Sequence, residues 1–281
     1  MQQKEISYNT PDGQAFYAYQ WSPEQKPKAV LCLVHGFGEH IHRYEHVAKF
    51  FVDHQIALVG FDLRGHGRTE GKRGIVSSYD QLMDDISFFI QQVKNEFPDS
   101  SYILYGHSMG GNLALNYLLA KSNEFEGAII TSPWLSLASP PPSFVVSIAK
   151  FIGSIFPNFT VQSKLDEEGL SRDLTVAQAY KADPYVHGVM GTQLFTGVSA
   201  TGKSIIEKGA NFSLPMLLMH GNHDTVTSHK SSQQLADKAN ENLLFKEWDE
   251  ARHELHNETN QEEVMNYMLQ WVEENILVKK A

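Results

Sequence analysis

The sequence predicts an α/β fold with a mostly parallel central sheet, helices on both of its faces, and an inserted, mainly helical cap. Two features of the chain carry that expectation. Short apolar runs of strand length alternate with amphipathic helical stretches, and the alternation breaks once, over about 80 residues, before resuming.

The apolar runs are Ala29 to Val34, Ala57 to Phe61, Tyr102 to Tyr105, Ala128 to Thr131, Met216 to Met219 and Leu243 to Trp248. Continuous apolar strands are what a sheet buried on both faces demands. Between them Arg43 to His54, Tyr79 to Phe97, Met109 to Lys121, Ser231 to Glu241 and Glu258 to Asn275 repeat apolar residues every three or four positions, as crossover and closing helices do. Ahead of the first run, Lys4 to Tyr8 and Gln14 to Trp21 flank Pro11-Asp12-Gly13, which predicts an antiparallel hairpin at the sheet edge.

The break starts after Pro133 and includes Pro140-Pro141-Pro142; strands resume only past Leu214-Pro215. The expected organisation is a core of residues 1–132 and 213–281 with a cap, or lid, at 133–212. There are no internal repeats.

Composition narrows the classes of function. With 23 Lys and Arg against 33 Asp and Glu, the formal charge of -10 repels phosphate backbones, so nucleic acid is excluded as a partner. The single cysteine, Cys32, lies in an apolar run, so no internal disulfide forms and a buried thiol is expected. Met1 to Gly13 lack the basic start and apolar stretch of a signal peptide, and no apolar run reaches membrane-spanning length; a cytoplasmic protein is the expectation.

Chemistry concentrates in three loops. Gly106-His107-Ser108-Met109-Gly110 fits G-x-S-x-G. A bare match is weak, but here a strand stops immediately before it and a helix starts immediately after, the strand–turn–helix setting of a nucleophile elbow. Ser108 then sits beside a helix N-terminus that favours developing negative charge. A serine hydroxyl needs a base, and the base needs an orienting acid. Asp224 follows the strand-like Met216 to Met219, where α/β sheets build their sites, and His253 lies in the loop after Leu243 to Trp248. His253 is the expected base, with His256 the competing assignment. The oxyanion would be held by the amides of Met109 and of Phe37 in His35-Gly36-Phe37-Gly38. This chemistry needs no metal and no organic cofactor.

Three other patterns point elsewhere. Gly197-Val198-Ser199-Ala200-Thr201-Gly202-Lys203-Ser204 satisfies the phosphate-loop pattern, but it lies in the expected cap with no buried strand ahead of it. Gly221-Asn222-His223-Asp224 looks like one element of a metallophosphoesterase, without its companions. His40, His42 and His46 invite a metal, but the start of a helix near Arg43 separates their directions.

His35-Gly36-Phe37-Gly38-Glu39-His40, Asp62-Leu63-Arg64-Gly65-His66-Gly67, Gly106-His107-Ser108-Met109-Gly110-Gly111 and the late Asp224 and His253 together resemble the monoacylglycerol lipase and lysophospholipase branch of the α/β-hydrolases. The order Ser, Asp, His is that of α/β-hydrolases, and Ser171-Arg172-Asp173 and Asp183-Pro184 in the cap look like marks of the same branch. The resemblance implies cleavage of a single-chain lipid ester, above all monoacylglycerol to fatty acid and glycerol through an acyl-serine. It implies that Glu39, Arg43, Tyr180 and His256 receive the glycerol hydroxyls. Lysophospholipase and general carboxylesterase activity stay open, and so, more distantly, do a prolyl-type aminopeptidase using Asp166, Glu167 and Glu168 for a substrate ammonium, and a non-catalytic binder. The chain departs from the branch at Thr69, where serine is usual, and at Thr225, where no cysteine follows Asp224; indifference to thiol reagents is expected.

In the cap, Ser143 to Phe156 is apolar nearly all round yet too short to span a bilayer. Either it packs inside the cap, or it lines an acyl tunnel and leans on a membrane or lipid aggregate.

Overall fold

In the computed structural model, which describes residues 1–163 and 165–278, the apolar runs become the strands β3 (Ala29–Val34), β4 (Ile56–Phe61), β5 (Ser101–His107), β6 (Gly127–Thr131), β9 (Met216–Gly221) and β10 (Leu243–Trp248). The hairpin strands are β1 (Gln2–Asn9) and β2 (Ala15–Ser22). One eight-stranded sheet has the order β1-β2-β4-β3-β5-β6-β9-β10. β1 and β2 pair antiparallel, β2 pairs antiparallel with β4, and every later pairing is parallel.

Alternation along each strand feeds two cores. In β3, Val30, Cys32 and Val34 enter one, while Ala29, Leu31 and Leu33 enter the other. The first core is closed by α2 (Tyr79–Glu96), α3 (Met109–Lys121) and α7 (His229–Lys238), the second by α1 (Glu45–Asp53) and α8 (Gln261–Val272). Each fully buried Leu, Ile or Phe in them contributes about 1.5–3 kcal/mol of transfer free energy. The side-chain oxygens of Ser78 and Ser228 accept from Gln81 N and Ser231 N, capping α2 and α7.

Register aligns the functional loops. Val34 of β3 pairs with Gly106 of β5, His107 with Thr131 of β6, and Thr131 with Met219 of β9. The loops carrying Phe37, Ser108 and Asp224 therefore leave the sheet side by side.

Between β6 and β9 lie α4 (Ser143–Ile155), α5 (Leu174–Ala182), α6 (Thr192–Glu207) and a small antiparallel pair, β7 (Thr160–Gln162) with β8 (Val189–Gly191). The segment 133–212 divides in two. Leu194, Val198 and Ile205 of α6 belong to the first core beside α2, α3 and α7, whereas residues of α4, β7 and α5 border the same cavity as Ser108.

The phosphate-loop pattern 197–204 is neither loop nor phosphate cradle: it lies wholly within α6. Its glycines are packing positions, since a Cβ on Gly202 would fall 2.1 Å from the Leu135 carbonyl oxygen, and Lys203 is exposed and 4.0 Å from Glu207.

Candidate active site

Ser108 follows β5 and precedes α3 with φ 53° and ψ -118°, a left-handed conformation that costs a serine energy and is held by its surroundings. Its amide donates to Thr131 O at 3.0 Å. The turn closes only because its glycines lack side chains: a Cβ on Gly110 would sit 2.0 Å from Val34 O. Gly36 serves the same end across the site, where a Cβ would stand 3.2 Å from that of Ser108.

His253 Nε2 lies 2.9 Å from Ser108 Oγ, and its Nδ1 lies 2.7 Å from Asp224 Oδ2. The network assigns the tautomer, with Nδ1–H donating to the carboxylate and Nε2 accepting the serine proton. All three residues are buried. Asp224 is fixed by more than His253. Its Oδ1 accepts from the amides of Val226 and Thr227 at 2.7 and 3.0 Å, and its Oδ2 from Thr227 Oγ1 and from His220 Nε2, each at 2.9 Å. His220 takes the Ser232 hydroxyl on its other nitrogen at 2.7 Å.

The electrostatics follow. Burial raises the Asp224 pKa, but His253 and His220 outweigh it and hold the carboxyl far below its usual range. For His253, burial opposes the charged ring and Asp224 more than compensates, so its pKa is raised. Neighbouring His107 is pushed well down by burial and stays neutral.

No acceptor takes the amides of Phe37 or Met109 among the described residues. Phe37 lies in the loop after β3 and Met109 at the start of α3, directly after Ser108.

Of the four residues expected at the glycerol end, Glu39, Arg43 and Tyr180 border the same cavity as Ser108, and His256 does not. His256 is fully buried, stacked on Tyr44 at 4.5 Å, and has neither ring nitrogen hydrogen-bonded among the described residues. Its assignment to substrate is corrected: it is a packing residue beneath the site, and the geometry gives the contact with Ser108 to His253. Arg43 reaches Glu39 Oε2 and both oxygens of Glu254, all at 2.7 Å, and lies 4.8 Å from the Tyr180 ring centre. Glu254, Thr227 and His220 are the residues missed by sequence reasoning. Glu254 alone had a signal, a carboxylate beside the base with a free-standing Arg43 to pair.

The histidine and metallophosphoesterase patterns dissolve in the same way. His40 pairs with Asp183, His42 with the Tyr17 hydroxyl and His46 with His256 O. Among the described residues no group of three metal-ligating side chains comes together. Thr69 does a serine's work, its Oγ1 donating to Asp62 O at 2.6 Å and accepting from Tyr17 N at 3.0 Å.

The base loop is strapped to the insert. Glu254 N donates to Leu170 O at 2.7 Å, Ser171 Oγ to Asn257 O at 2.7 Å, and Arg172 Nε to Glu258 at 2.9 Å.

Cys32 has no exposed surface, and burial pushes its thiol up beyond the range where thiolate forms at neutral pH. Thr225 borders the cavity where a thiol would be exposed to reagent. Incubation with N-ethylmaleimide at neutral pH is expected to leave activity unchanged; loss of most activity within minutes would contradict this placement.

The site opens into a cavity of about 720 Å³ roofed by apolar side chains. Along α4, Val145, Ile148, Ala149 and Ile152 line it. Most of α4 is uncovered: Phe144, Phe151 and Ile155 are 64, 67 and 54% exposed, and the cavity-lining Ile148 is 52% exposed. α4 packs on α6 of the insert at Gly153, its only buried residue, and otherwise presents its apolar side chains to the cavity and the surface.

The family profile described as Serine aminopeptidase, S33 (Hydrolase_4) matches residues 25–260. An uncharacterized abhydrolase domain-containing protein of Dictyostelium discoideum is 34% identical over 270 residues, which are 95% of this chain and 28% of that much longer protein. The monoacylglycerol lipase of Mycolicibacterium smegmatis is 31% identical over 254 residues, 90% of each chain. The crystal structure of Paleococcus ferrophilus monoacylglycerol lipase superposes with a TM-score of 0.85 at 27% identity, covering 95% of this chain and 99% of that one. With fold, chain-long similarity and the order of the three loops in agreement, the chain belongs to the α/β-hydrolase superfamily, in its monoacylglycerol lipase branch.

Proposed function

We propose that the protein hydrolyses monoacylglycerol to fatty acid and glycerol, with Ser108 as nucleophile, His253 as general base, Asp224 as its orienting acid, and the amides of Phe37 and Met109 as the oxyanion hole. The observation that carries this reading is the unbroken chain Asp224–His253–Ser108 at the foot of a largely apolar cavity. His253 takes the Ser108 proton as Oγ attacks the ester carbonyl, and the charge that develops on the carbonyl oxygen falls between the two amides. The C–O bond breaks, glycerol leaves with the proton from His253, and the acyl group stays on Ser108. Water attacks the acyl-serine with His253 again as base, and the carboxylate departs.

Residues 133–191 serve as the cap in this reading, with α4 as the acyl guide and its bare outer face resting on a lipid surface. No helix among the described residues is long and apolar enough to cross a membrane.

The test is fatty-acid release from a long-chain monoacylglycerol beside a lysophospholipid and a proline arylamide, with Ser108→Ala as control and chelator throughout. Release from the glycerol ester that vanishes in the variant supports the reading; turnover of the arylamide alone would move the substrate to the peptidase named by the family profile. Replacing Ile148 and Ile152 with serine is expected to cut kcat/KM for long-chain esters about tenfold or more while sparing short-chain ones, because several buried methylenes lose their contacts. Equal losses on both would remove α4 from acyl recognition.

A further inference from the structure

Beside Ser108, among the described residues, acidic side chains on the cavity wall outnumber basic ones. Glu39, Glu254 and Asp166 border the cavity, and Arg43 is the one guanidinium or ammonium among the described residues that does. Arg43 is already committed: Nη1 donates to Glu39 and Glu254, Nη2 donates to Glu254, and the guanidinium lies over the Tyr180 ring. The side chains of Glu39 and Glu254 are 3% exposed and that of Arg43 10%. Further donors hold the carboxylates in place, Gly36 N and Tyr44 Oη on Glu39 and Asn257 Nδ2 on Glu254.

This arrangement treats the alcohol half of an ester according to its charge. A phosphate needs free, charge-assisted donors. Here it would meet carboxylates, and could reach Arg43 only by stripping it from a buried partner left uncompensated. An uncharged polyol brings hydroxyls that donate to carboxylate oxygens and disturbs no ion pair. A cationic alcohol is attracted.

We infer that Glu254, by occupying Arg43, is the specificity-determining residue that restricts the leaving group to uncharged or cationic alcohols and rejects esters whose alcohol carries a phosphate. The inference rests on the proposed ester hydrolysis at Ser108.

Three esters with one acyl chain test it: lauroylglycerol, lauroylcholine and lauroyl glycerol 3-phosphate, each below its aggregation concentration. The expected wild-type kcat/KM for the phosphate ester is about tenfold or more below that for lauroylglycerol, given the strength of like-charge repulsion in a partly dry site, and lauroylcholine is cleaved. Glu254→Gln removes one carboxylate charge and the charge-assisted pairing of Arg43 Nη2, leaving Nη1 on Glu39, and should narrow the gap between the uncharged and phosphate esters by about tenfold. Asp166→Asn, at an exposed position, should shift the same ratio in the same direction by less, and it stands in should the buried variant not fold. Equal wild-type turnover of all three esters overturns the inference, as does a ratio that no variant moves or a uniform loss on all three in Glu254→Gln, which is the mark of a merely structural role. Failure of the wild type to cleave any of the three would instead strike the proposed function itself.

Discussion

Replacing Ser108 with alanine is expected to lower kcat by about five to six orders of magnitude, and replacing Asp224 with asparagine by about four, since triad members act as a unit and the acid fixes the tautomer of the base. The second loss has a particular cause in this site. Asp224 accepts from His253, His220, Thr227 and two backbone amides at once, so an amide NH2 in its place turns toward at least one donor. The pH profile gives an independent reading. His253 must be neutral to act, and Asp224 raises its pKa above the ordinary 6.5, so the acid limb of kcat/KM should lie above pH 6.5 in the wild type. Asp224→Asn removes that support and should move the limb to lower pH. A limb that stays put, with kcat nearly unchanged, would take Asp224 out of the mechanism.

Arg43→Ala is expected to cost about 3–5 kcal/mol of stability, because it strands two buried carboxylates. At roughly 2–4 °C per kcal/mol for a chain of this size, the melting temperature should fall by about 10 °C. The pH dependence has a definite sign. Burial alone would raise the Glu254 pKa, but Arg43 outweighs it and holds the group down at about 2, so its contribution is present above the ordinary glutamate value and lost as pH falls through about 2. In the variant Glu254 loses the strongest influence holding it down and keeps only weaker ones such as Asn257, while Glu39, whose pKa burial already raises, loses the offset from Arg43, so both protonate more readily. The difference between wild type and variant should therefore be widest near neutral pH and shrink as pH falls toward roughly 4. Melts at both pH values measure it; an equal or smaller loss at neutral pH would show that the cluster does not act through its charge.

Much of this architecture is legible in one sequence, for identifiable reasons. β3 has the bounds that its apolar run suggests, and α3 begins and ends where its pattern does, because a buried strand and a buried helix have no latitude in composition; β10 also has the expected bounds, although it is an edge strand with only Trp248 buried. Ser108, Asp224 and His253 are readable because each follows a strand whose end is marked by a change from apolar to polar residues. The misplaced His256 shows the limit. A histidine three residues from the base looks like a ligand for substrate, and whether it faces the cavity or stacks on Tyr44 depends on the short helical turn at Leu255–Asn257, which no local pattern announces. α6 was hidden differently: it follows the irregular stretch in sequence yet packs with α2 and α3, a partnership set by tertiary contact.

The strap between the base loop and residues 170–172 has a consequence for timing. Because His253 is anchored to the part of the insert nearest α5, an excursion of α4 that widens the entrance leaves every hydrogen bond of that anchorage in place. The hydrogen bonds Asp224–His253–Ser108 are thus made with no ester in place. Selectivity then has to come from what the chamber tolerates, because arrival of the right molecule completes nothing that was missing.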